Sequence, residues 1–237
     1  MDSKQSNYLE CERWWVFALL MVVGGYFGAF TYTLRGGVFC NAQTANFVLM
    51  AMELGNGQFL GAVYYLIPMS AYFAGAILSE LLPSHVKKSG WIRWDTLLVA
   101  IELVIVIGLG FLPESAPFQI SQVAINFICS MQYNTFRQAE GIPMATTFCT
   151  NHLRQIGICV TKWGKKRDRV YLKRMARHLG MLGFFVLGAT ISTIFCNIWK
   201  GHAIWGAGIL LVVVFADLIR ADITHGKEEL SRVPLGH

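Results

Sequence analysis

Gly36–Asn46 reads GGVFCNAQTAN, and Gly141–Asn151 reads GIPMATTFCTN. Each stretch sits between a long apolar run and a shorter segment, and the two begin 105 positions apart. At that fixed offset Gly36 meets Gly141 and Asn46 meets Asn151. Ala45 meets Thr150 and Thr44 meets Cys149, all small residues. Farther along, Gly75-Ala76 aligns with Gly188-Ala189. The two stretches read as the joints of a chain built from two similar halves.

The surroundings of the joints are those of a bilayer protein. Of 237 residues 54% are hydrophobic and 14% charged, with a mean hydropathy of +0.47. Soluble domains carry about 25% charged residues, so there is too little polar surface here to cover a water-soluble globule. The net charge is +6, but the bases lie between apolar runs. They read as orientation signals in loops, and no nucleic-acid partner is expected. Cys11, Cys40, Cys129, Cys149, Cys159 and Cys196 form no CxxC pair and no zinc spacing. They read as small buried residues of a helix bundle.

Several runs approach the ~20 apolar residues that cross a ~30 Å hydrocarbon core. The first, Trp14–Leu34, is too long for a signal-peptide core and lacks an Ala-x-Ala cleavage site, so a retained span is expected. Further spans are expected at about Phe59–Leu82, Thr96–Leu112, Phe118–Phe136, Leu179–Ile198 and from His202 to about Ile219, before a polar tail, Arg220–His237. Phe47–Leu54 and Asn151–Thr161 are too short to cross. Lys87, Lys88 and Arg93 mark one loop, and Lys162–Arg177 holds eight bases, whereas the turn Pro113–Pro117 holds none. The positive-inside rule then places both termini in the cytoplasm, with Arg35 and Lys200 as minor exceptions.

The expected fold is therefore all-α: a single polytopic membrane helix bundle over residues 1–237. Its six spans form a 3+3 inverted repeat, about 14–112 and about 117–220, followed by the tail 221–237. Two short re-entrant helices complete it. Backbone that unwinds in a membrane survives only where protein or a water-filled cavity satisfies it. Asn46 and Asn151 are expected as N-caps of the short helices, whose positive ends favour anions or carbonyl groups. Two such ends at a pseudo-twofold axis build a midplane site.

The joint residues Gly36–Asn46, with Ser130–Arg137 (SMQYNTFR) and Pro143–Asn151 (PMATTFCTN), resemble signatures of the YoaK-type family of bacterial inner-membrane proteins, a domain-of-unknown-function family. The resemblance runs from Gly24 to about Asp217. Many members carry Gly-x-x-Asp-Ala in the first span and Met-Thr-Gly-Asn at the first joint. Here Gly28 stands at the aspartate position and Gln43-Thr44-Ala45-Asn46 replaces the second motif. The resemblance implies the fold and a bacterial inner-membrane location. It carries over no catalytic residues.

Glu102 is the one acid well inside a span, where a charge costs at least about 2.5 kcal/mol on insertion scales. It is expected to line a polar pathway or to hydrogen-bond between helices. Asp217 is expected to pair with Arg220 at an interface. His152 and Arg154 are candidates for contact with an anionic solute or for plain cytoplasmic surface. The other histidines show no metal spacing, and no nucleophile motif, phosphate loop or dinucleotide fingerprint appears. No enzyme activity, cofactor or metal is expected. The expected function is a small-solute permease or channel. Its site is drawn from Asn41, Gln43, Thr44, Asn46, Glu102, Gln132, Asn134, Thr146, Thr147 and Asn151. The alternative is a membrane interaction or lipid-binding protein, with Lys165, Lys166, Arg167, Arg169, Lys173 and Arg174 on anionic headgroups. The expected partners are the lipid bilayer and a small polar or anionic solute, with self-association left open.

Overall fold

The computed structural model describes residues 8–224 and 232–234. His225 and most of the expected polar tail lie outside the described residues. Eight α-helices carry the described chain: α1 (Trp14–Leu34), α2 (Gln43–Gly55), α3 (Phe59–Ser89), α4 (Trp94–Gly110), α5 (Phe118–Thr135), α6 (Thr150–Lys166), α7 (Arg169–Trp199) and α8 (Trp205–Thr224). A two-stranded antiparallel hairpin, β1 (Gln138–Ala139) with β2 (Ile142–Pro143), precedes α6. A 3-10 turn, Lys200–Ile204, joins α7 to α8.

Three stretches are long and apolar enough to cross a membrane: Trp14–Leu34, Phe59–Lys88, and Arg169–Thr224, which contains both α7 and α8. α1 is buried on nearly all sides, which suits its lack of any charged residue. α3 is the opposite. Phe59, Leu60, Val63, Phe73, Ile77 and Leu81 all stand exposed along it. An apolar surface of that extent needs an apolar neighbour, and α3 lies in one of the three stretches long and apolar enough to cross a membrane.

Helix pairing follows the small residues. α1 packs mainly on α7, α3 on α5, and α4 on α8, while α2 lies on α3 and α6 on α7. In lipid, packing rather than hydrophobicity brings helices together, so small residues gather at crossings. A Cβ at Gly188 of α7 would stand 2.0 Å from the Val22 carbonyl oxygen of α1, and one at Gly25 would stand 2.1 Å from that of Phe185. Gly75 makes the matching crossing of α3 on α5, where a Cβ would stand 2.5 Å from the Phe127 carbonyl oxygen. Val22 and Phe127 are 105 positions apart, the spacing that separates the two joints.

The contacts sort the molecule into two ends. At one end Trp94 Nε1 donates to Thr135 Oγ1 at 2.8 Å, Asn134 bonds Ser79 at 2.8 Å, and the Arg93 N–H donates to Asp222 at 3.0 Å. At the other, Gln122 Nε2 donates to the Arg35 carbonyl and to the Tyr64 hydroxyl, each at 2.6 Å, and Trp205 Nε1 donates to the Ile107 carbonyl at 3.2 Å. Helices α1, α3, α4, α5, α7 and α8 run between these ends.

Several boundaries differ from the sequence expectation. α2 starts at Gln43 and has 13 residues, so it reaches roughly 20 Å. Asn46 lies in its first turn, and Ala42 is the N-cap. Asn151 likewise lies inside α6, whose N-cap is Cys149. α3 continues through Pro68 and Pro83 to Ser89. α7 begins at Arg169, because Asp168 caps it by accepting the Val170 N–H at 2.9 Å. The hairpin was not expected. Its turn residues Glu140 and Gly141 both have positive φ, 47° and 75°, which matches the twist of a two-residue hairpin. The Glu140 N–H donates to the Glu12 carbonyl at 2.8 Å, and the Glu140 side chain pairs with Arg177.

Two stability outcomes follow. Gly188→Ala forces α1 and α7 apart and costs about 3 kcal/mol, the upper range for overpacking. Gly183→Ala on the same helix meets nothing within 4 Å and leaves the melting temperature in detergent unchanged. Arg93 is buried with Asp95 at 3.1 Å and Asp222 beside it. Arg93→Ala keeps the backbone N–H to Asp222 but leaves the buried Asp95 without its guanidinium, and costs about 3 kcal/mol, read by the same thermal melts.

Candidate functional site

Both joints return to the middle of α1. From the first, Asn41 Nδ2 donates to the Gly24 carbonyl at 3.0 Å, and its carboxamide fills the space above Gly28. From the second, the Thr146 carbonyl oxygen lies where a Cβ at Gly24 would stand only 2.4 Å away. Gly24 is the midpoint of α1. The chain leaves each helix end and dips back about half the length of the bundle before α2 or α6 begins. Glycine at 24 lets the second joint lie directly against α1.

The first joint is held by its own side chains. Asn46 is fully buried and bonds both backbone groups of Phe39: its Oδ1 accepts the Phe39 N–H at 3.0 Å and its Nδ2 donates to the Phe39 carbonyl at 2.6 Å. Gln43 Oε1 accepts from Asn46 at 3.2 Å, and Gln43 Nε2 donates to Asn126 Oδ1 at 2.8 Å and to the Cys40 carbonyl at 3.2 Å. Asn126 Nδ2 donates to the Gln122 carbonyl at 2.8 Å. Gln122, Asn126 and Ser130 form a buried polar stripe at i, i+4 and i+8 on α5. That spacing is readable in the sequence, although none of the three is among the expected site residues.

Thr146 and Thr147 of the second joint are fully buried, and among the described residues neither hydroxyl has a hydrogen-bond partner. The same holds for Ser130 Oγ and Gln132 Oε1, while Gln132 Nε2 donates to the Leu20 carbonyl at 3.3 Å, one turn from Gly24. Glu102 is the midpoint of α4, fully buried, with neither carboxylate oxygen bonded. It stands close enough to Cys129 of α5 to interact electrostatically, and Cys129 Sγ lies 3.7 Å from Cys40 of the first joint. The six cysteines are all free thiols.

Of the ten expected site residues, Asn41, Gln43, Asn46, Glu102, Gln132, Thr146 and Thr147 therefore gather around α1, α5 and the joints. Three do not. Thr44 is exposed on an apolar groove with Tyr32 and Phe39. Asn134 sits at the opposite end from Arg35, bonded to Ser79, Glu80 and Arg137. Asn151 is half-buried and accepts from the exposed Arg154 at 3.0 Å. His152 and Arg154 part company, because i and i+2 point to different helix faces. His152 is buried, its Nδ1 3.0 Å from His178 Nδ1 and its Nε2 2.9 Å from the Ala145 carbonyl. Asp217 is accompanied by Glu10 as well as by Arg220 and Arg13. Lys165, Lys166, Arg167, Arg169, Lys173 and Arg174 are all exposed: the first two end α6, Arg167 lies on the turn, and the other three lie in the first two turns of α7.

A family model described as "Protein of unknown function (DUF1275)" matches residues 16–216. The chain belongs to this family. The matched residues run from the start of α1 well into α8, so both joints of this DUF1275 protein lie within the matched region. No curated protein and no solved structure matches the chain.

The bonding pattern separates residues that hold the joint from residues free to bind something else. Asn46→Leu strands the Phe39 N–H and C=O at about 1–3 kcal/mol each and lowers the melting temperature. Thr146→Val and Thr147→Val are near-isosteric and remove only unpartnered hydroxyls, so they leave it unchanged.

Proposed function

We propose that this chain is a small-solute permease or channel of the bacterial inner membrane, a YoaK-type protein with its site where the two joints meet α1. The observation that carries the reading is the convergence of Asn41 and Thr146 on Gly24 beside buried polar groups that bond nothing. Polar groups inside a membrane protein are expensive and usually face a partner or a pathway. Thr146, Thr147, Gln132, Ser130 and Glu102 supply donors and acceptors for a small polar solute. Asn41, Gln43 and Asn46 hold the backbone that frames it.

Six crossings and a 3+3 inverted repeat accompany this reading. The pairing of α1 with α7 and of α3 with α5 is what a pseudo-twofold axis requires, and so is the packing of α4 on α8. The glycine crossings at Val22 and Phe127 keep the same 105-residue spacing as the joints. The exposed basic turn between α6 and α7 belongs on the cytoplasmic side. Among the described residues Glu102 neighbours the Cys129 thiol without a base to complete a catalytic set, and the reading we favour is transport over catalysis. A second reading, a lipid-binding scaffold without flux, is favoured by the six exposed bases at the end of α6, on the turn and at the start of α7.

Two experiments separate these readings. Single cysteines at Ser115 and at Asp168, in a protein cleared of its native cysteines, react with an impermeant thiol reagent from opposite faces of the membrane. Reaction of both from one face overturns the topology. Proteoliposomes of the wild type swell faster than empty vesicles in urea, glycerol or ammonium formate. Thr146→Val or Glu102→Gln slows that swelling roughly tenfold, the scale of one lost hydrogen bond to a charged or polar solute. Wild-type vesicles that behave as empty ones in all three, yet lose anionic-lipid binding on charge reversal at Lys165–Arg169, decide for the scaffold.

A further inference from the structure

The structure carries one buried cation that sequence reasoning left as a loop exception. Arg35 ends α1 and is 3% exposed. Among the described residues its Nε and Nη2 have no hydrogen-bond partner. Those two nitrogens form one edge of the guanidinium, the fork that takes a carboxylate with two parallel bonds. The guanidinium carbon lies 5.4 Å from the centre of the Phe30 ring, which supports the charge from below but accepts no hydrogen bond. Glu114 is near enough to be felt by Arg35, but its carboxylate is exposed and sits 3.5 Å from Lys200. No acid lies within 4.0 Å of Arg35 among the described residues.

An arginine does not give up its proton inside a protein, and a buried charge without a partner is costly. Gly201, on the 3-10 turn, faces the fork, and a Cβ there would stand 3.2 Å from Nη2. The charge balance is also specific. One guanidinium, with Glu114 at a distance and Lys200 occupied by it, matches a single negative charge and disfavours a dianion. The fork geometry favours a planar anion over a spherical one.

We propose that Arg35 binds a small carboxylate anion between the end of α1 and the 3-10 turn at Gly201. The site goes beyond the permease reading and does not depend on it. A protein that binds carboxylate at Arg35 and moves nothing across the membrane keeps this site and loses that reading.

The test is thermal melting and equilibrium dialysis of the whole protein in nanodiscs, with formate and acetate as probes and chloride and sulfate as controls. Formate and acetate raise the wild-type melting temperature saturably, and chloride and sulfate at equal ionic strength do so far less. Arg35→Met removes a lone buried charge, so without carboxylate it melts no lower than the wild type. With saturating formate the order reverses. Arg35→Lys keeps the charge without the fork and weakens labelled-formate binding by roughly 10- to 100-fold, the scale of a lost bidentate charged bond. Gly201→Ala keeps Arg35, crowds the fork and weakens binding in the same direction. Arg35→Met melting below the wild type at every formate concentration overturns the proposal, since it means the arginine is a structural group. So does a wild type whose melting ignores formate while Glu114→Gln destabilises it in an Arg35-dependent way, since Glu114 is then the counter-ion.

Discussion

A backbone that leaves helical geometry among apolar helices must find its hydrogen bonds inside the protein. The two joints meet this demand by different means. The first spends side chains on it: Asn46 serves both groups of Phe39, Asn41 binds α1 at Gly24, and Gln43 links the joint to α5. The second begins as a hairpin, in which Glu140 also bonds the Glu12 backbone. In the second joint Thr146 and Thr147 keep their hydroxyls unspent among the described residues, and the Ala145 carbonyl is met by His152. The division of labour between the joints thus decides which side chains remain available for a ligand.

The halves are alike in packing and unlike in charge. α2 exposes Phe47, Val48 and Met52 and carries one acid, Glu53, whereas α6 ends in Lys162, Lys165 and Lys166. An apolar short helix can sit wholly within the bilayer, while one with a basic end reaches the headgroups. The same asymmetry appears at the ends of the bundle. The end with Arg93, Arg137 and Arg177 pairs its arginines with Asp95, Glu80 and Glu140. Burial works against the Arg93 charge, but Asp95, Cys11 and Asp222 together outweigh it and hold the guanidinium firmly charged. At the opposite end, among the described residues, no carboxylate pairs with Arg35, and Glu114 acts on it only from a distance.

Much of this architecture is legible in the sequence, because run length and glycine placement are local signals. The start of α1 at Trp14, the break at Gly55–Gly57 and the crossings at Gly75 and Gly188 could be read directly. Helix ends that leave the bilayer could not. α7 continues through Arg177 to Arg169, since a helix in water tolerates the arginines that a span excludes. Asn46 looked like a helix cap because caps and joint locks use the same side-chain oxygen. Only the fold shows that this oxygen reaches back seven residues to Phe39. Arg35 was counted as loop charge because a positive-inside tally records position along the chain and not burial.

Glu102 and Arg35 are opposite charges, both buried, and neither is bonded to the other. Had they served stability alone, pairing them would have offset much of the cost of burying each. The fold instead holds them at different levels: Glu102 at the midpoint of α4, and Arg35 at the end of α1 beside the 3-10 turn. Between them lie Gln122, Asn126, Gln43 and the Cys40–Cys129 contact. A cation at one end of the bundle and an acid at mid-depth are thus held apart by a line of buried amides along α5, each at its own level of the fold.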